Sequence, residues 1–348
     1  MMASRSQDRT GGRERRVMLH RPTVKATTGL AAALLALAAA YLMIGEVIYT
    51  PLMAWQALWG SGAEEDVMIV QSLRAPRLAI AILVGASLAL SGAILQAIIR
   101  NPLAAPDVVG ITGGASFGAV LFITALSGAM TIRLLPVAAM IGAFCAAALV
   151  YALAWRRGVS SLRLVLVGIG LSSLLSAAVS FMLAFSQVYS ATSAYIWLTG
   201  TIYGSSWEHV WTLLPWTMGL CAAVYFHTRI LQAQLLGDEL AIGIGSALQR
   251  HRLLLVLLSV GLAGSAVAIG GAIGFVGLIA PHVARRLVGP VMGRVLPVSA
   301  LFGAIVVTAA DLLGRSLFLP LDIPVGVFTS AIGAPFFIYL LYRSRSRI

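Results

Sequence analysis

Charge is scarce in this chain. Only 10% of the 348 residues are Asp, Glu, Lys or Arg, whereas soluble domains carry about 25%. Hydrophobic residues make up 59%, which excludes an ordinary soluble domain and predicts an all-α polytopic membrane protein. The apolar runs are too long and unbroken for an outer-membrane barrel, whose strands alternate over about ten residues. The net charge of +12 therefore concerns membrane topology and does not predict nucleic-acid binding.

Residues that perform catalysis are equally scarce. Lys25 is the sole lysine and no G-x-x-x-x-G-K-[ST] loop is present, so the chain is not itself a P-loop ATPase. The five histidines show neither i, i+4 pairing nor a nearby cysteine, and no metal site is predicted. Cys145 and Cys221 lie inside apolar runs, so a disulfide framework is not expected. We therefore expect no catalytic site and no cofactor bound by this chain.

Apolar segments are abundant by contrast, and each suits a helix that crosses about 30 Å of hydrocarbon. A basic tail over residues 1–27 and a short tail over 344–348 flank the predicted membrane domain, 28–343. The first segment is too long for the apolar core of a signal peptide, so it is interpreted as a membrane helix. The ten predicted segments are 28–48, 77–99, 108–128, 133–155, 163–185, 209–228, 252–270, 272–288, 295–318 and 324–342.

The stretch from Arg74 to Val120 organises the rest of the chain. It holds a long apolar run, then a break at Pro102 and Pro106, which disfavour helix in the residues before them, then a second, glycine-rich run. Small residues throughout both runs predict close helix packing, which drives association where lipid supplies no hydrophobic force.

The distribution of Lys and Arg predicts orientation. All but four of the 24 basic residues fall in the tails or in alternate connections, and the positive-inside rule then places both termini in the cytoplasm. The even helix count agrees with this orientation. The four basic residues left on the outside are Arg74, Arg77, Arg133 and Arg315.

Two of the connections between the predicted membrane helices are long enough to contain short helices of their own. Residues 189–206 are too polar for a span and predict a short helix at the outer surface, with Trp197, Tyr203 and Trp207 as interfacial anchors. The inner connection from Arg229 to Arg252 is amphipathic. It predicts two short helices, separated at Gly243 or Gly245, that form a docking knob; an ordinary surface loop is the alternative.

Ionisable groups within the predicted spans are few. Asp311 lies deepest, while Asp107 and Asp322 stand at helix starts. A buried acid indicates function by default, but Asp311 could equally form a structural pair with Arg315 at i+4. A proton-coupled carrier needs a chain of such groups, which this sequence does not supply.

Several ordered motifs resemble those of the permease subunits of type II ABC importers for ferric siderophores, haem and cobalamin. The matches run from about residue 70 to 343 and are specific as a set. They are R-A-P-R (74–77), R-N-P-L-A-A-P-D-V-V-G (100–110), L-G-D-E-L-A-I-G-I-G (236–245), G-F-V-G-L-I-A-P-H-V-A-R (274–285), A-D-L-L-G-R (310–315) and I-P-V-G-V-F-T-S-A-I-G-A-P-F-F (323–337).

The resemblance implies a ten-helix permease in the bacterial inner membrane. Such a subunit pairs with a second permease, identical or paralogous, with two cytoplasmic ATPase subunits that bind ATP and Mg²⁺, and with a periplasmic substrate-binding protein. The segments R-N-P-L-A-A-P-D (100–107) and W-L-T-G-T-I-Y-G-S-S-W (197–207) are most similar to those of ferric-siderophore members. The resemblance therefore favours a ferric siderophore as cargo, with haem or cobalamin as alternatives. An ion-coupled secondary transporter with discontinuous helices is the rival from another class.

The resemblance also assigns residues. Arg74, Arg77 and Arg315 would receive carboxylates of the binding protein, and Ser160 and Ser161 would lie near the inner gate. The coupling element of about 230–251, resting in a groove of the ATPase, would use Leu236, Gly237, Asp238, Glu239, Ala241 and Gly245. Residues interpreted as structural are Gln96, Asn101, Pro102, His282, Asp311 and Asp322, the last standing where the family commonly has Glu.

Overall fold

The computed structural model describes residues 21–344, except Gly128, Arg157 and Ile244. Most of the predicted basic tail, together with Arg345 and Arg347, therefore lies outside the described residues. Within the described range no β-strand forms, and Trp155 and Val159 make one isolated bridge. The helices are α1 (Arg21–Met43), α2 (Pro51–Leu58), α3 (Glu64–Met68), α4 (Ala75–Ile99), α5 (Ile111–Leu121), α6 (Leu135–Ala154), α7 (Ser161–Phe185), α8 (Val188–Leu198), α9 (Trp207–Phe226), α10 (Thr228–Leu235), α11 (Asp238–Gly243), α12 (Leu248–Gly270), α13 (Val276–Val288), α14 (Met292–Ser316) and α15 (Val325–Ser344).

The predicted all-α membrane class is confirmed. Each of the ten predicted segments contains a helix, and seven helices among the described residues are long and apolar enough to cross a membrane. The three others are α5, α9 and α13. Helix α13 has only 13 residues, or roughly 20 Å of length, because left-handed backbone at Gly271 and Phe275 delays its start. Ten crossings therefore stay a prediction.

Helix α4 is the centre of the fold. It continues α3 through a π-helical turn, so that Glu64–Ile99 is one helical stretch of 36 residues, 83% buried over its most apolar window. A Cβ at Gly85 would lie 2.3 Å from the carbonyl oxygen of Gly303 in α14, and one at Gly92 would lie 1.9 Å from that of Gly277 in α13. Only glycine permits these approaches, which confirms the predicted role of small residues in α4.

Buried hydroxyls fasten α4 to two more helices. The Ser91 hydroxyl donates to the Ser259 carbonyl oxygen of α12 at 2.9 Å, and Ser87 and Thr217 of α9 hydrogen-bond at 3.2 Å. Interhelical bonds of this kind satisfy polar groups that lipid cannot. The only clearly polar side chains in the middle of α4 thus serve packing.

A second close contact joins α5 to α6. A Cβ at Gly114 would lie 2.4 Å from the carbonyl oxygen of Gly142, and one at Gly118 would lie 2.4 Å from that of Ala138. Both runs pack closely through their small residues, as predicted, but they do so on different helices: α4 on α13 and α14, and α5 on α6.

Both special connections form helices, with differences in detail. Helix α8 matches the short helix predicted after α7, and Tyr203 and Trp207 beyond it are exposed, but Trp197 is buried in the core and is not an anchor. The inner connection forms the two short helices α10 and α11. Their break falls at Gly237, whose φ is +103°, not at Gly243 or Gly245, because the left-handed backbone needed to separate them occurs there.

The two predicted docking regions lie at opposite ends of the molecule. Arg74 and Arg77 stand at the start of α4, while Arg100 ends the helix and contacts the inner connection. The 25 residues of α4 separate them by about 37 Å. This distance matches the thickness of a bilayer with its interfaces.

Candidate functional site

Three of the four arginines predicted on the outside come together in one cluster, although they are far apart in sequence. We call it the outer arginine cluster: Arg74 and Arg77 from the start of α4, Arg315 from the end of α14, and the carboxylates of Asp311 and Asp322. Arg133, the fourth, is exposed and lies 4.0 Å from Glu208.

Arg77 binds two carboxylates at once. Its guanidinium donates to Asp311 at 2.9 and 2.7 Å and to Asp322 at 2.5 and 2.9 Å. The side chains of Arg77 and Asp311 are 11% and 0% exposed, while that of Asp322 is 25% exposed. The shorter Asp322, standing where the family has Glu, therefore still reaches a partner. Asp311 does not pair with Arg315, as one interpretation predicted, but with Arg77, and it also accepts a bond from the Tyr41 hydroxyl.

The other two guanidiniums bind backbone oxygens of the last turn of α1 and of the segment that follows it. Arg74 donates to the carbonyls of Leu42 and Val47 at 2.7 and 2.6 Å and is 5% exposed. Arg315 donates to the carbonyls of Tyr41 and Ile44. All three arginines thus have partners within the chain, although the Nε of Arg315 is buried without one, so a docking carboxylate would have to exchange with bonds that already exist. Docking stays a prediction, and Arg315, which binds no carboxylate in the described part, offers the easiest exchange.

At the opposite end, the inner connection forms an exposed apolar knob, defined as Leu236–Gly243. Leu236, Leu240 and Ile242 are 51%, 62% and 60% exposed, whereas Ala241 is fully buried beneath them. Asp238 is held by Arg252 at 2.8 Å and by Arg100 at 3.1 Å, but the neighbouring Glu239 points outward. Of the predicted coupling residues, Asp238 and Ala241 therefore anchor the knob, while Leu236 and Glu239 lie on its surface.

The predicted gate serines begin α7. Ser160 is its N-cap, accepting from the Arg163 amide at 3.4 Å, and such a cap stabilises the first turn. The Ser161 hydroxyl donates to the Ile98 carbonyl in α4 at 2.8 Å. Both hydroxyls position the helix start in this conformation, and their gate role stays a prediction.

Four of the residues interpreted as structural lie at the inner end of the molecule. Gln96 donates to the carbonyl oxygen of Gly277 and accepts from Arg285, so it ties α4 to α13. Asn101 accepts from the Leu103 amide at 2.9 Å, which turns the chain before Pro102. His282 packs edge-on against Phe336. Among the described residues no three His, Cys, Asp or Glu side chains gather into a possible metal site.

A polar cleft beside α7 was not predicted. It encloses about 410 Å³ between α5, α7 and α8. Asp107 lines this cleft, and the residue is exposed. The hydroxyl residues that line it are Thr112 and Ser116 of α5, Ser172, Ser176 and Ser180 of α7, and Tyr195 of α8.

The spacing of these serines could have revealed the cleft. Ser172, Ser176 and Ser180 recur every four residues and so share one face of α7. Only 22% of the most apolar window of α7 is buried within the chain. Hydroxyls and a carboxylate are costly against lipid, so this face suits a water-filled path or a partner subunit. The resemblance implies that the fifth membrane helix, α7, lines the pathway, but it does not indicate which face of the helix does so.

The fold is that of a multi-pass helical membrane protein with a polar cleft, with the outer arginine cluster at one end and the exposed apolar knob at the other. Comparison with known proteins assigns its class. Residues 33–343 match the model of the FecCD transport family, and the chain belongs to this family. It is 51% identical over 311 residues to the achromobactin transport system permease protein CbrC of Dickeya dadantii, covering 89% of each chain. It is 45% identical to the probable siderophore transport system permease protein YfhA of Bacillus subtilis, covering 91% of this chain and 93% of the relative.

A solved structure agrees with the sequence relatives. The fold superposes with a TM-score of 0.83, at 32% identity, on a protein described as a metal-chelate type ABC transporter in an inward-facing conformation. The match covers 92% of this chain and 99% of that one. The resemblance to type II ABC importer permeases is thereby confirmed, and the protein is an importer permease of this class.

Proposed function

We propose that this chain moves a ferric siderophore from the periplasm to the cytoplasm across the bacterial inner membrane. The single observation that carries the proposal is the hydroxyl-lined cleft on α7, which lies between an arginine cluster at one end of the molecule and an apolar knob at the other. Relatives whose names specify achromobactin or a siderophore support this choice of cargo over haem or cobalamin.

The assembly in this proposal has four further subunits. A second permease chain covers the exposed face of α7. One of the two ATPase subunits seats on the knob Leu236–Gly243, and the other seats on the second permease. A periplasmic binding protein docks on Arg74, Arg77 and Arg315. ATP and Mg²⁺ bind to the ATPase subunits, whose closure drives the permease between outward- and inward-open states, and this chain binds no cofactor. Ten crossings with both termini inside place the knob in the cytoplasm.

The cleft explains why such a permease need not bind its cargo tightly. Each hydroxyl on α5 and α7 has one donor and two acceptor lone pairs. Ser172 and Ser180 already donate to the carbonyls of Asp107 and Ser176, so their oxygens offer weak acceptor contacts to a polar chelate. The binding protein supplies the affinity, so a weak path favours release. Asp107 is the one charged group lining the cleft.

Uptake of radiolabelled iron chelate into proteoliposomes that contain the full complex tests the proposal. We expect uptake to require both ATP and the binding protein. Replacing Ser172, Ser176 and Ser180 together by Leu should reduce the rate at least about tenfold, since three polar contacts of about 0.5–1.5 kcal/mol each are lost. Ser173→Leu is the matched control, because Ser173 neighbours this face but does not line the cleft. Uptake driven by an ion gradient without ATP, or equal rates in both variants, would contradict the proposal.

A further inference from the structure

The fully buried Arg252 joins the knob to the start of α7. It lies in the first turns of α12 and its side chain is 0% exposed. One terminal nitrogen donates to Asp238 in the knob at 2.8 Å, and the other donates to the carbonyl oxygen of Val159, one residue before the N-cap of α7. One rigid guanidinium therefore contacts two segments that are distant in sequence.

Val159 is held on both of its backbone groups. Its amide donates to the Gln249 side chain at 2.9 Å, and its carbonyl accepts from Arg252. Its own side chain is 1% exposed. The residue that precedes α7 is thus fixed to α12 and cannot move independently of Gln249 and Arg252.

The same carboxylate also binds a second arginine that does not reach Val159. Arg100, at the end of α4, lies 3.1 Å from the same Asp238 oxygen and is 40% exposed. Asp238 is therefore the point where the knob meets both the central helix and, through Arg252, the helix that lines the cleft.

We propose that Arg252 is a positioning residue that transmits displacement of the knob to the α6–α7 loop and so to the start of α7. This inference rests on the proposed function. A planar guanidinium suits the task because its donors keep a fixed angle, whereas a lysine ammonium on a flexible stem does not. When an ATPase displaces the knob, Asp238 moves the guanidinium of Arg252, and the guanidinium in turn displaces the Val159 carbonyl. The coupling is carried by a contiguous chain of bonds between two elements that each have defined positions.

The alternative is that Arg252 only stabilises the fold. A stabilising role would change the amount of folded protein but not the cargo imported per ATP hydrolysed. The decisive measurement is therefore this ratio, obtained in proteoliposomes that contain the full complex. We compare Arg252→Lys with Arg100→Lys, since both residues bind Asp238 and only Arg252 reaches Val159.

We expect Arg252→Lys to hydrolyse ATP while its import ratio falls about fivefold or more, within the range that substitutions along coupling networks produce. Arg100→Lys should keep the ratio. A spin label at Arg156→Cys, with Cys145 and Cys221 replaced by Ser, reports the α6–α7 loop directly, because Arg156 is exposed in that loop. Its spectrum should change on ATP addition in the Arg100→Lys protein and not in the Arg252→Lys protein.

An unchanged ratio and spectrum in Arg252→Lys would overturn the inference. Should that variant not fold, Asp238→Asn and Arg100→Lys decide the matter, because the first removes the carboxylate that Arg252 binds whereas the second leaves that contact in place. The first should lower the ratio and the second should not; equal ratios would overturn the inference. If the unsubstituted complex shows no ATP-dependent uptake, the proposed function fails, and this inference fails with it.

Discussion

At Arg77, docking of a binding protein would need a free guanidinium, whereas the stability of the fold needs the guanidinium to stay paired. Its guanidinium makes four hydrogen bonds to Asp311 and Asp322, and Asp311 is entirely buried. Removing one partner of a buried ion pair costs about 3–5 kcal/mol, because a charge is left without compensation. Arg77→Glu would also place a third carboxylate beside the other two, so its cost should lie at or above that range.

The matched control for this substitution is Arg133→Glu. Arg133 is 76% exposed and only 4.0 Å from Glu208, and exposed pairs contribute about 0–1 kcal/mol. Thermal denaturation in detergent, followed by loss of the monodisperse peak, should therefore show a large drop for Arg77→Glu and almost none for Arg133→Glu. The ranking of the two variants is the measurement that matters.

A partial rescue should accompany this loss. Arg77→Gln combined with Asp311→Asn leaves no buried charge without a partner, while Asp322 is open enough to be solvated. The double variant should be more stable than Arg77→Gln alone. If Arg77→Glu melts like Arg133→Glu and still loses stimulation by the binding protein, the guanidinium is free for docking and our account of the cluster is wrong.

Two further predictions concern docking and packing. Arg315→Gln removes a charge whose described partners are the Tyr41 and Ile44 carbonyls and the face of the Tyr41 ring, so stability should fall by about 1.5–3 kcal/mol. ATP hydrolysis stimulated by the binding protein should fall several-fold while the basal rate is kept; equal stimulated rates would remove Arg315 from the docking surface. Gly92→Ala should destabilise by about 1–3 kcal/mol or more, because its Cβ would meet the Gly277 carbonyl at 1.9 Å. Gly170→Ala, with nothing within 4 Å, should be neutral or stabilising by up to about 1 kcal/mol, and equal melting temperatures would refute the packing argument.

The outer arginine cluster shows how far sequence reasoning reaches. Counting basic residues along the chain placed Arg74, Arg77 and Arg315 on one side, and the structure brings them together. The groups that these three side chains bind could not be predicted in this way. Asp311 lies 234 residues from Arg77, so no local pattern links the two, and the nearby Arg315 at i+4 was the natural but wrong partner.

The inner end shows the same division. Amphipathic spacing predicted two short helices in the connection but not the position of their break. Gly237 and Gly245 both adopt left-handed backbone, and Gly237 separates α10 from α11 whereas Gly245 follows α11. In the sequence, Arg252 was one of the many basic residues predicted on the inner side, and nothing indicated its partners. Its connection to Val159, 93 residues away, exists because α12 packs against α6, the helix that leads into the loop holding Val159.

By itself, the sequence determined the membrane class, the approximate positions of the long apolar helices, though not of α2 and α3, and the places where glycines let helices touch. These properties depend on the length, polarity and period of a single segment, so they are readable without knowing its neighbours. The tertiary structure alone decided which charges pair, which face of α7 carries the cleft and what joins the knob to that helix. Such pairings arise between residues far apart in the chain, and the direction of each side chain is set by the packing around it.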